Sequence, residues 1–175
     1  MYPYLRLFIE MRRTRTLKPL PVTGTHRSCH RCLPWDLDPW NELNNGRTLT
    51  LFDLGRLPLI HRTGLARVCA DKGWGLTVAG SSLRYRRRVV LFDRLDMVSR
   101  CLGWDGRFFY IEQSLWRKGE CTSHMLLRAA VTSRAGIVPP PEVADVLGAG
   151  DSPPLPDWVA GWIEADALRP WPPAH

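Results

Sequence analysis

Residues 45–64 leave the rest of the chain little freedom. Leu49, Phe52, Leu59 and Ile60 fall near the helical repeat, and Leu51, Leu54 and Leu57 broaden their stripe. A helix apolar over so much of its circumference has to be enclosed by other elements rather than lie on a surface. Asn41, Asn44 and Asn45 precede it, and a short amide oxygen can accept the orphan N–H groups of a first turn. Gly64 supplies a stop. Pro58 removes one helical hydrogen bond and crowds the preceding turn, so a kink or an early end is expected there. Asp53 and Arg56, three apart, can pair on the wetter side.

The enclosing material reads as strands. Residues 22–33, after Pro19 and Pro21, form the first strand, and residues 69–73 a short loop. Residues 74–90 form a long strand in which Gly80 marks a bulge or a close approach. A strand at 95–102 leads to Trp104-Asp105-Gly106-Arg107, where Asp-Gly supplies the backbone conformation of a tight hairpin. Residues 108–116 return, residues 117–120 turn again, and residues 121–133 are the last strand expected. Three strands joined by short turns are antiparallel neighbours. One buried helix with an antiparallel meander gives an α+β architecture, the sheet wrapped around the central long helix.

The 175 residues suit a single domain, with a core over about 22–135. A short amphipathic helix is expected at 4–15, packed on the domain or at a subunit contact. The same basic and aromatic residues also suit a membrane surface, although the apolar face is short. The extension 139–175 carries a short helix from Pro141 to Leu147, a proline connector, and a second helix from Asp157 to Leu168 on the sheet or a neighbouring subunit.

The net charge of +7 is uneven: residues 1–31 carry seven basic side chains against Glu10. That balance asks for an anionic partner without naming it. No recognition motif or aromatic-basic platform supports nucleic acid. Five cysteines without a repeated framework point to free thiols and a reducing cytoplasm. No apolar stretch approaches the ~20 residues of a membrane span. His26, Cys29, His30 and Cys32 invite a metal, but strand alternation turns Cys29 away from the other three and the spacing matches no zinc pattern, so none is expected. Glu112 and His124 sit in successive strands and can pair on one sheet face, a solvated or interface-facing surface.

Three short motifs carry the chemical signal. Asp36-Leu37-Asp38 puts two carboxylates on one side of an extended chain, and Leu43-Asn44-Asn45-Gly46-Arg47 follows, then Asp53-Leu54-Gly55-Arg56. Together they resemble the hotdog-fold acyl-CoA thioesterases of the 4-hydroxybenzoyl-CoA thioesterase type, in the branch with D-x-D followed by N-N. The resemblance covers about residues 22–135. It implies a hotdog fold, a homo-oligomer (dimer or tetramer) with its sites at the subunit interface, and hydrolysis of an acyl-CoA or acyl-carrier thioester. No cofactor is implied beyond the coenzyme A of the substrate. Asp38 occupies the position of the family's catalytic carboxylate, as nucleophile or general base. Asn45, at the helix start, offers a backbone N–H to a developing oxyanion. Arg84, Arg86 and Arg87 belong to a basic run whose guanidinium forks match phosphate oxygens.

Glu42 departs from this pattern, since many relatives carry His there. A second carboxylate close to Asp38 would alter its ionisation. A non-catalytic acyl-thioester-binding protein on the same fold is the alternative. A hydratase is the less favoured one, lacking a His at the helix start.

Overall fold

A computed structural model describes residues 2–173, so the last two residues of the C-terminal extension lie outside it. Helix α1 (Tyr4–Thr14) precedes strand β1 (Thr25–Arg31). A 3₁₀ turn over Pro34–Asp36 leads to α2 (Asn45–Arg62) and α3 (Leu65–Lys72). Strands β2 (Gly75–Tyr85), β3 (Arg94–Trp104), β4 (Phe109–Arg117), β5 (Glu120–Ser133) and β6 (Gly136–Val138) follow. Helices α4 (Pro140–Val146) and α5 (Asp157–Ala167) complete the chain.

The sheet runs β1-β3-β4-β5-β2, every pair antiparallel, with β6 added to the end of β5. The expected meander is β3-β4-β5. Strand β2 crosses over to pair with β5 and is left as one edge, with β1 the other. The sheet encloses α2 in a hotdog fold. Leu51, Phe52, Leu54 and Leu59 of α2 are buried against Leu95 and Met97 of β3, Ile111 and Leu115 of β4, and Met125 and Leu127 of β5. Burying each such side chain contributes about 1.5–3 kcal/mol. Gly55 lets the helix come close: a Cβ there would lie 2.4 Å from Met97 Sδ and 2.6 Å from Ser99 Oγ.

Several expectations give way to packing. Helix α2 passes through Pro58 to Arg62, because Leu54, Pro58 and Leu59 are all buried and burial outweighs one missing hydrogen bond. Asp53 and Arg56 do pair, but both are largely buried, and Arg56 Nη1 donates to Gln113 Oε1 at 3.0 Å. The loop expected at 69–73 is the end of α3, capped by Gly73 at φ 66°. The first strand is shorter than 22–33, and β2 ends at Tyr85. The strand at 120–133 is not the last, since β6 pairs with its end.

Other expectations hold. The β2 register shifts between Val78 and Gly80, as a bulge requires. His26, His30 and Cys32 are buried while Cys29 is exposed, the alternation of a strand. All five cysteines are free. Helix α5 covers the outer face of the sheet, where Val159, Trp162 and Ile163 pack on Tyr110 and Leu126.

Candidate active site

Asp36 and Asp38 part company because the 3₁₀ turn breaks the extended chain. Asp36 is fully buried. Its Oδ2 accepts from Arg6 Nη1 (2.7 Å) and the Leu33 N–H (3.0 Å), and its Oδ1 from Arg47 Nη2 (2.8 Å) and Nε (3.2 Å). It therefore ties α1 and α2 to the connecting loop. Asp38 is half-buried. Its Oδ1 accepts from the N–H groups of Trp40 (2.9 Å) and Glu42 (3.1 Å), and its own N–H donates to the Glu42 carbonyl (2.8 Å). These bonds fix the carboxylate on a tight loop. Oδ2 makes no hydrogen bond among the described residues.

The first turn of α2 has one donor left over. Asn44 is the N-cap, and its Oδ1 accepts from the Gly46 (2.9 Å) and Arg47 (3.1 Å) N–H groups. Asn44 N–H donates to the Asp36 carbonyl (2.9 Å), and Thr48 N–H to the Asn44 carbonyl (2.9 Å). The Asn45 N–H alone has no acceptor among the described residues of that turn. A helix N-terminus carries partial positive charge, so this donor suits an anionic oxygen.

Asn45 opens onto a cleft of about 230 Å³ shared with Glu42, Thr48, Tyr85, Arg86, Arg87 and Arg88. The Tyr85 hydroxyl donates to the Asn45 carbonyl at 3.1 Å, joining the end of β2 to the helix start. Asn45, Arg86 and Arg87 thus converge, Arg87 being also paired with Glu120, whereas Asp38 does not line the cleft and is tied to it only through hydrogen bonds with the backbone of Glu42. Arg84 does not converge with them. Strand alternation turns it to the outer face, into a hollow of about 320 Å³ with Ser82, Glu112, His124, Trp158 and Trp162. There His124 Nε2 meets Glu112 Oε1 at 2.9 Å, and Arg100 Nε donates to Glu112 Oε2 at 2.6 Å. These partners, His124 first, hold the Glu112 carboxyl below its ordinary range despite burial.

The charge that Glu42 brings is met by Arg88, whose Nη2 lies 2.6 Å from Glu42 Oε1. The basic run continues to Arg88 in the sequence, but nothing local links that residue to Glu42. The run itself was the available signal, since it supplies more cations than one ligand needs. Tyr85 as a tie to Asn45 had no signal beyond its place in the run.

A further, apolar hollow of about 280 Å³ lies between α2 and the sheet, lined by Leu57, Ile60, Leu76, Val78 and Leu127 among others. Leu76 and Val78 are exposed on the edge strand.

Residues 32–163 match the model of the thioesterase-like superfamily. The chain belongs to that superfamily. Its sequence is 30% identical over 136 residues to protein THEM6 of Xenopus laevis, covering 75% of this chain and 64% of that protein. To protein THEM6 of Drosophila melanogaster it is 31% identical over 93 residues, covering 53% of this chain and 48% of that protein. The chain thus spans about half to two thirds of the length of these relatives. Among solved structures, Slr0204 of Synechocystis, a 1,4-dihydroxy-2-naphthoyl-CoA thioesterase, superposes with a TM-score of 0.62 at 12% identity, covering 71% of this chain and 95% of that one. SAV2348 of Staphylococcus aureus, solved in complex with CoA, gives 0.64 at 11% identity, covering 77% and 90%. At such identities the likeness is one of fold.

Proposed function

We propose that the chain hydrolyses an acyl-CoA thioester at the cleft where α2 begins. The observation that carries this reading is the single unpaired N–H of Asn45, left over by the Asn44 cap beside the Asp38 loop. The substrate carbonyl oxygen accepts from that N–H, and the bond strengthens as negative charge develops on the oxygen. Asp38 Oδ2 acts on the carbonyl carbon, either by direct attack or by taking a proton from the attacking water. Water's oxygen ends in the acid, its proton on the departing thiolate, and the reaction balances without a cofactor. Arg86 takes a phosphate of the CoA carrier, joined by Arg87 when it exchanges its exposed partner Glu120 for phosphate oxygens. Arg84, on the outer face, is not needed for that role.

A second copy of the chain completes the unit along β2. An unprotected edge strand that exposes Leu76 and Val78 beside an apolar hollow supports this assembly. Five free thiols favour a reducing cytoplasm as the compartment.

The test is turnover of short, long and aromatic acyl-CoA esters, with products followed by chromatography because free cysteines disturb thiol reagents. Asp38→Asn is expected to lower kcat by ~10²–10⁴. Turnover indifferent to Asp38 removes the mechanism. Tight ester binding without turnover of any ester moves the chain to acyl-thioester binding.

A further inference from the structure

Helix α1 is amphipathic the wrong way round. Its inward face carries Leu7, Glu10 and Thr14, and the last two are only 8% and 3% exposed. The Thr14 hydroxyl donates to the Glu10 carbonyl at 2.7 Å, and Glu10 Oε1 accepts from Arg13 Nη1 at 2.8 Å. The opposite face presents Tyr4 (73% exposed), Leu5 (73%), Phe8 (58%) and Ile9 (40%) to solvent. One turn beyond Phe8, on the same face, Arg12 places its guanidinium 5.8 Å from the Phe8 ring centroid. Arg12, Arg15 and Lys18 are exposed and have no carboxylate partner among the described residues.

A contiguous apolar face is unusual on a free surface and asks for a cover. The charges say which. The only carboxylate on the helix is Glu10, turned inward and engaged by Arg13. A symmetric contact between two α1 helices would bring Arg12 and Arg15 of both copies into one interface, with no outward carboxylate on either helix to offset them. An anionic bilayer offers apolar depth for Tyr4, Leu5, Phe8 and Ile9, and headgroups for the cations around them.

We propose that α1 is an interfacial helix, lying with its Leu5–Phe8 face in the headgroup boundary of an anionic lipid bilayer. Arg6 fixes the geometry of the anchored helix to the rest of the molecule. Its guanidinium grips Asp36 at 2.7 Å and the Arg31 carbonyl at 2.9 Å, on the loop that leads into α2. The membrane contact is thereby tied rigidly to the loop that leads into α2. The lipid contact itself stands independently of the hydrolysis proposed above.

The test is flotation of the full chain with phosphatidylglycerol–phosphatidylcholine vesicles and with phosphatidylcholine alone. The protein is expected to float with the first, not the second, and to be released by salt. At ~1 kcal/mol for each cation near the surface, the triple variant Arg12→Gln, Arg15→Gln, Lys18→Gln should bind roughly 100-fold more weakly. The double variant Leu5→Glu, Phe8→Glu should not float, while keeping the circular dichroism and the oligomeric state of the wild type. Should that double variant misfold, the glutamine triple and the salt titration carry the test. No flotation of the wild type overturns the proposal, as does undiminished flotation of the folded apolar double variant. A folded double variant that dissociates into single chains, or a wild type that binds polyglutamate and not vesicles, also overturns it.

Discussion

Asn45→Pro isolates one hydrogen-bond donor. Asn45 is the first residue of α2, the position where proline fits best, because its N–H is unpaired and its φ is already helical. The preceding Asn44 sits at φ −60°, ψ 138°, the extended region that a residue before proline prefers. Nothing else on the residue is at stake. Its side chain is exposed, and its carbonyl still accepts from the Tyr85 hydroxyl. Stability should therefore change by no more than about 0.5 kcal/mol. The N–H disappears, and with it an oxyanion donor typically worth ~10²–10³ in kcat, about 2.7–4 kcal/mol of transition-state stabilisation. The assay is steady-state acyl-CoA hydrolysis beside urea denaturation, with Asn45→Ala, which keeps the N–H, as control. Expected are a near-normal Asn45→Ala and an Asn45→Pro that loses turnover while melting like the wild type. A fully active, folded Asn45→Pro refutes the oxyanion role of this N–H. A large loss of stability refutes the placement of Asn45 at the first helical position.

Three further outcomes follow from the packing. Gly55→Ala raises helix propensity yet should destabilise by about 1–3 kcal/mol in urea, because the new Cβ meets Met97 Sδ and Ser99 Oγ at 2.4 and 2.6 Å; a stabilised variant would mean that α2 and β3 can separate at no cost. Asp36→Asn leaves an amide facing two largely buried guanidiniums, those of Arg6 and Arg47, and should cost about 3–5 kcal/mol; an unchanged urea midpoint would contradict this. His26 and His30 are both held down to about 4, mainly by burial, aided by Arg62 at His26 and Arg6 at His30. A folded pKa below the unfolded value of about 6.5 means that the unfolded chain binds the extra protons between these limits. Stability is then fully present above about pH 6.5 and falls as the pH drops toward 4, by about 1.4 kcal/mol per pH unit for each histidine. The raised Glu10 carboxyl, lifted first by burial, opposes part of this loss. Urea titrations with a flat midpoint from pH 6.5 to 4 would refute the burial of both rings as neutral groups.

What the sequence made legible is what short-range chemistry decides. Leu51, Leu54 and Leu59 of α2, the Asn44 cap and the Gly80 bulge each depend on neighbours a few residues away, and each appears where the pattern puts it, although Leu49 of the same stripe is exposed. The β3–β4 hairpin also forms, but as a four-residue loop held by Asp105 Oδ1, which accepts from the Arg107 and Phe108 N–H groups, and without a positive φ at Gly106. What it concealed depends on partners distant in the chain. Pro58 looks like a helix breaker until the sheet surrounds it, and Asp53–Arg56 looks like a surface pair until Gln113 of β4 reaches it. Asp36 and Asp38 have the same side chain two residues apart, yet Arg6, thirty positions away, and Arg47, eleven away, claim Asp36 alone. That division leaves Asp38 with one unbonded oxygen on the loop that leads to the start of α2. The same logic resolves Glu42. Read locally it is an intruding charge next to Asp38, but the loop after β2 brings Arg88 onto it. Arg84 shows the converse: it keeps the outer face of β2, whereas Arg86, two positions on, lies beyond the strand's end at Tyr85 and falls in the cleft. A run of like charges therefore fixes how many cations a site can draw on. The strand's alternation and its end decide which of them arrive, and pairing decides which stay engaged: Arg88 is taken by Glu42 and Arg87 by Glu120, which leaves Arg86 without a carboxylate partner among the described residues.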